Sequence, residues 1–130
     1  MPISYRIDPD ARFVRTVASG VLTDAEVMAL KEQLAGDPAF VGSMHQLADV
    51  RGVERLDVSI DGVRSFVAHD MHHAERFAGH RIAIVASADV VFGMARMYQQ
   101  LGGGETETEV FREAKAALDW LGVQGDALDP

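Results

Sequence analysis

The stretch Arg81-Ile82-Ala83-Ile84-Val85 constrains the fold more than any other. Four apolar residues in succession leave a strand with no polar face, so it must be covered on both sides, as in the middle of a largely parallel sheet. A chain that buries such a strand needs helices packed against the sheet. Upstream, Ile3 to Ile7 alternates, Asp8-Pro9-Asp10-Ala11 reads as a turn, and Phe13 to Val17 resumes a strand pattern as far as Ser19-Gly20. Two short strands around a Pro/Asp turn predict a β-hairpin. Thr23 stands three residues before Glu26, a capping box that opens a helix with Val27, Leu30 and Leu34 on one face and Gly36-Asp37-Pro38 at its end. Met44 to Val50 is an apolar run bounded by Gly42 and by Arg51-Gly52, which predicts a buried strand.

A second helix is expected from about Asp61 to Phe77, with Val63, Phe66, Val67, Met71, Ala74 and Phe77 on one stripe. After the apolar strand, Ser87 and Asp89 offer caps for a third helix, where Val90, Met94, Met97 and Leu101 share a face and Gly102-Gly103-Gly104 is the stop. Thr108 to Arg112 reads as the last strand. Ala114, Ala117, Leu118 and Leu121 form a final amphipathic helix before a polar tail from Gln124. The order β-β-α-β-α-β-α-β-α predicts an α/β class with a mainly parallel sheet and an antiparallel N-terminal hairpin. Residues 1–123 are expected to form one domain and 124–130 a tail, since 130 residues leave too little for a second core.

Composition removes several functions. A formal charge of −8 repels phosphate backbones and anionic lipid, so neither nucleic acid nor membrane insertion is expected. No cysteine is present, which excludes disulfides, thiolate nucleophiles and zinc–sulfur sites. The first residues lack a basic stretch followed by an apolar one, and no apolar run nears the ~20 residues of a membrane span; a cytoplasmic location is expected.

Candidate chemistry is sparse. His69, His72 and His73, with His80 nearby, suggest a metal, but on the helical wheel the first three point away from the apolar stripe and are expected to face solvent. No acidic ligand stands at a fixed offset, so neither metal nor cofactor is expected. Asp70 falls inside the stripe, where a carboxylate must be paired, sit at a helix end or line a cavity. Asp49 and Arg51, Ser87 and Asp89, and Arg112 and Glu113 mark the carboxyl ends of predicted parallel strands, where small polar ligands sit in open α/β sheets; capping and ion pairing account for the same residues. No serine occupies a Gly-x-Ser-x-Gly elbow, and the triple glycine lacks the Lys-Ser or Lys-Thr of a phosphate loop. Gly93 interrupts the third helix, as close helix–strand packing or a ligand's approach would require. Phe92, Met94, Met97 and Tyr98 give that helix more apolar surface than one face needs, as core, as a contact between two copies or as a pocket wall.

Arg81 to Val85, Phe92-Gly93-Met94-Ala95-Arg96-Met97-Tyr98, Val110-Phe111-Arg112, Ala117-Leu118 and Trp120-Leu121 together resemble the SpoIIAA-like (STAS/SEC14-domain) proteins of bacteria. Gly20-Val21-Leu22-Thr23, Asp37-Pro38 and Leu47-Ala48-Asp49-Val50-Arg51 are similar to the same family more loosely. The resemblance implies a STAS-like sheet of four or five strands packed with helices. It also implies a non-enzymatic binding or regulatory module, by analogy with anti-sigma-factor antagonists that bind a partner kinase, or a carrier of a small hydrophobic or lipid-like ligand. In the antagonists a serine in an Asp-Ser-Ser-Gly-type turn is phosphorylated. The comparable stretch here is Ser59-Ile60-Asp61-Gly62-Val63, with Asp61 about where that serine stands and Ser59 as the nearby hydroxyl. The leading expectation is a module that binds a protein partner or itself as a homodimer, through Asp49, Arg51, Phe66, Asp70, Phe92, Arg96 and Tyr98. The alternatives are the small-ligand carrier and, third, a hydrolytic or metal enzyme using His45, Asp49 or the helix-two histidines.

Overall fold

The structure is a computed structural model that describes residues 3–41, 44–73, 75, 79–102 and 107–123. Its elements are β1 (Ile3–Asp8), β2 (Phe13–Thr23), α1 (Asp24–Ala35), β3 (His45–Asp57), α2 (Ile60–His72), β4 (Arg81–Val85), α3 (Asp89–Leu101), β5 (Glu107–Phe111) and α4 (Ala114–Leu121). The strands lie in one sheet in the order β1-β2-β3-β4-β5. β1 runs antiparallel to β2 and every other pair is parallel, the mixed sheet that the sequence predicts.

This order decides where the helices go. Parallel crossovers are right-handed, so steps that all move the same way across a sheet put their helices on the same face. Val27 and Leu30 of α1 and Val91 of α3 pack there with Ile3, Ala18 and Leu22, and α2 lies between α1 and α3. α4 follows the last strand and covers the opposite face, closing Ala117, Leu118 and Leu121 over Phe13, Leu47, Ala83 and Val85. β4 is thereby buried on both sides: Ala83 and Val85 are fully inaccessible, and Ile82 and Ile84 retain under a tenth of their surface.

Local signals place most element starts. The Thr23–Glu26 capping box forms in both directions, at 3.2 Å from Thr23 N–H to Glu26 Oε1 and 3.3 Å from Glu26 N–H to Thr23 Oγ1. Ser59 caps α2 by accepting the Gly62 N–H at 2.9 Å. Asp24 reaches over from α1 to accept from the Ser59 N–H and Oγ, at 2.9 and 2.6 Å. A Cβ on Gly62 would overlap that Asp24 carboxylate, which is why a glycine stands in the first turn.

Elsewhere the boundaries move. β2 and β3 run past Gly20 and Gly52, which the sequence offers as stops. Both glycines sit at register irregularities, where Gly20 takes φ +67° and a Cβ on Gly52 would lie 3.1 Å from the Ala18 carbonyl. A glycine inside a strand can mark a bulge instead of an end. α2 stops at His72, because His73 turns its backbone N–H back onto the carbonyls of His69 and Asp70. Met71, placed on the buried stripe by the sequence, is 62% exposed. Ala74 and Phe77 lie outside the described residues, as do Gly103, Gly104 and the tail from Gln124.

α3 is rotated from its expected setting. Val91 is its buried residue, with Met94, Ala95 and Tyr98 also turned inward, whereas Val90 is 72% and Leu101 44% exposed. Its cap is Ala88 with no side-chain bond, so neither Ser87 nor Asp89 caps it. Gly93 faces outward with nothing within 4 Å of a built Cβ, so helix–strand packing does not explain it. Gly93→Ala should therefore stabilise the protein by about 0.5–1 kcal/mol through helix propensity alone. The urea unfolding midpoint measures this; a loss of stability would mean that something covers this face of α3.

Candidate functional site

Between the sheet and the three helices on its crowded face lies a cavity of about 160 Å3. It exists because the facing residues are small where the strands run beneath the helices. Thr16 and Ala48, paired in register on β2 and β3, form part of its floor, and Ala95 part of its roof. Leu30, Val63, Phe66, Val91 and Met94 make the remaining wall mostly apolar.

The polar part of the wall is one cluster shared by three helices. Lys31 of α1 donates from Nζ to both oxygens of Asp70 on α2, at 3.1 Å each, and to the Tyr98 hydroxyl of α3 at 3.2 Å. Tyr98 in turn donates to Asp70 Oδ2 through a short hydrogen bond. The Lys31 and Asp70 side chains keep about a fifth of their surface, 18% and 20%, so the cluster marks where the cavity nears solvent. Burial by itself would push the Lys31 ammonium down, but the Tyr98 and Asp70 oxygens outweigh it and hold its pKa above the ordinary value. Burial, aided by the Asp70 charge and opposed by Lys31, pushes the Tyr98 phenol up to about 12. At neutral pH the cluster is thus an ammonium, a carboxylate and a phenol, with no net charge.

Asp70 inside the apolar stripe resolves in two ways at once: it is paired and it lines a cavity. Phe66 and Tyr98 join it there. Lys31 escaped the sequence reading, although it sits four residues after Val27 and three before Leu34 and so on the buried face of its helix.

The other named residues lie elsewhere. Arg51 grips Asp49 through Nε and Nη2 at 2.9 and 2.8 Å, and these bonds hold the Asp49 carboxyl below its usual range. Arg112 bonds Asp89 at 2.9 Å and the Ser87 carbonyl at 2.7 Å, with its guanidinium 4.1 Å over the Phe92 ring. These acids and arginines neutralise one another in two local groups instead of converging. An order that never reverses across the sheet has no switch-point crevice to gather them. Arg96 is exposed on α3. Ser59 has its hydroxyl committed to the cap and to Asp24, while Asp61 is 93% exposed beside Arg64.

The histidines divide, against the expectation that all three on α2 face solvent. His72 is exposed, His73 is half-buried with Nδ1 bonded to the His69 carbonyl at 2.9 Å, and the His69 side chain keeps only 11% of its surface beside Asp70. α2 is flanked by helices on both sides, so residues beside its stripe are covered too. No group of three or more His, Asp or Glu among the described residues is placed to hold a metal. His80 is fully buried against Phe40, and its Nε2 meets the Gln46 amide nitrogen at 2.9 Å. That amide donates, so the ring accepts and is neutral; burial, then the neighbouring His45, pushes its pKa down to about 3.

A five-stranded mixed sheet with its crossover helices on one face defines a STAS-like α/β module. The chain belongs to the SpoIIAA-like family, whose model matches residues 13–122. It is also similar in structure to an uncharacterized protein of the DUF3478 family with a SpoIIAA-like fold from Shewanella loihica PV-4. That likeness has a TM-score of 0.57 at 22% identity, covers 92% of this chain and 93% of the other, and supports the fold. No curated protein matches the chain.

Two outcomes follow for stability. Asp70→Leu, which strands the Lys31 ammonium, should cost about 2–3 kcal/mol in urea unfolding, and adding Lys31→Met should restore much of it; strictly additive effects would refute the cluster. His80 binds a proton in the unfolded chain near pH 6.5 but in the folded one only near pH 3. Its contribution is complete above pH 6.5 and falls by up to about 1.4 kcal/mol per pH unit below it. His80→Gln should reduce that slope by about one proton, and an unchanged slope between pH 6 and 4 would sink the assignment.

Proposed function

We propose that this chain is a non-enzymatic STAS-like module that takes up a small apolar molecule in the cavity and reports its presence through the positions of α1, α2 and α3. The observation that carries this reading is the mostly apolar cavity of about 160 Å3, whose polar wall is already neutralised. An apolar cavity of about 150 Å3 is large enough to stay dry and to admit benzene. The polar groups suit holding better than catalysis. Lys31 is kept protonated and Tyr98 does not ionise near neutrality, so neither serves as a base. Because Lys31, Asp70 and Tyr98 each belong to a different helix, a guest that displaces one helix disturbs all three.

A second reading, attachment to a protein partner or a second copy, draws on the outer ridge of α3. Val90 and Leu101 are eleven residues apart and therefore stack on one side of the helix, both exposed, with Gly93 between them. The Gly93→Ala measurement bears directly on it.

Toluene is the probe for the first reading. It should produce saturable chemical-shift changes at Phe66 and Tyr98 and raise the melting temperature, as any molecule that binds only the folded state does. Ala48→Leu, which fills the floor, should abolish both effects while leaving the protein folded. Unchanged spectra of the unsubstituted protein at saturating toluene would refute the reading.

A further inference from the structure

We infer that His69 is a proton-operated latch on the three-helix cluster: neutral, it leaves Asp70 to Lys31 and Tyr98, and protonated, it draws on the same carboxylate and frees the end of α2. As a means of regulating uptake, this rests on the cavity reading above, since Lys31, Asp70 and Tyr98 line that cavity.

The geometry comes first. His69 stands one residue before Asp70 on the middle helix, and its side chain keeps 11% of its surface. Its Nδ1 is buried and has no hydrogen-bond partner among the described residues. Buried polar atoms are normally paired, and an exception calls for an explanation. Asp70 Oδ1 lies 3.7 Å from that nitrogen, too far for a hydrogen bond and near enough for an ion pair once the ring is charged. The two carboxylate oxygens are also unequal. Oδ2 accepts from both Lys31 and Tyr98, whereas Oδ1, the oxygen nearer His69, accepts from Lys31 alone.

A proton on Nδ1 upsets the charge balance of this site. Lys31 and Asp70 cancel one another, so a charged His69 adds a largely buried positive charge that has no carboxylate of its own. The titratable groups around it are Lys31 from α1 and Asp70 and His73 from α2, the two imidazole rings 4.4 Å apart. Beyond these, Tyr98 of α3 and the buried His80 answer to Asp70, and His72 lies against His73. Burial, then His73 and Lys31, hold the His69 pKa below its ordinary value against the pull of Asp70. The closed arrangement therefore binds the proton less readily than one in which His69 meets solvent, and acid favours the second as the pH falls below about 6.5. The part free to move is the last turn of α2, where His73 turns its N–H back onto the carbonyls of His69 and Asp70 and the helix ends.

Amide hydrogen exchange of the full chain from about pH 7.5 to 5, corrected for intrinsic rates, tests the latch. Protection at Asp70 and Met71 should fall by up to about tenfold per pH unit below 6.5. In His69→Gln it should stay level there, while Ile84, in the middle of the sheet, keeps the slope it has in the unsubstituted protein. An unchanged slope at Asp70 and Met71 in His69→Gln overturns the inference. So does a His69 ring that titrates at or above pH 6.5 in the unsubstituted protein, a measurement independent of how the variant folds. Release of bound toluene should quicken over the same range, and release that ignores pH refutes regulation of the cavity. If toluene never binds, the cavity reading falls, and exchange at Asp70 still decides whether the latch exists.

Discussion

Because each parallel strand is laid down beside the one before it, the three crossover helices must share a face of the sheet, and α2 must lie in the middle of them. Most of the molecule's unusual features descend from this crowding. A middle helix is covered along its stripe and on both flanks, which is how Asp70 and the His69 side chain come to be largely buried. Three helices bridging a twisted sheet over small floor residues also leave a gap that no side chain fills. Among the described residues the opposite face has a single helix, packed around Phe13 and Leu47.

Crowding also brings polar groups together where no single helix can satisfy them. Lys31, Asp70 and Tyr98 are each awkward in their own helix, and each is bonded by the other two. Removing one member leaves the other two bonded to each other but each short of a partner, and removing either charged one leaves a largely buried charge uncompensated. The group therefore fixes how the helices sit against one another more than it adds raw stability, as buried ion pairs often do little for the latter.

The chain order, the hairpin, the capping box and the doubly covered β4 were all legible in the sequence, because each rests on residues a few positions apart. So was the oddity of Asp70. Its partner Lys31 was not, since 39 residues separate them and only the packing of α1 against α2 joins them. The setting of α3 was missed for a related reason: the ridge through Val90 and Leu101 and the face through Val91 and Tyr98 are both apolar, and a tyrosine counts as inward only once its hydroxyl has a partner. The acids and arginines at the strand ends looked like a convergent site because spacing along the chain does not reveal that each arginine already has a carboxylate beside it.

The bonds of the cluster span 28, 39 and 67 residues of chain. Contacts so distant in sequence form only after the strands between them are in register, late in folding. The cluster thus ties together three helices that the chain supplies one at a time, and it is complete only when the last of them, α3, is in place.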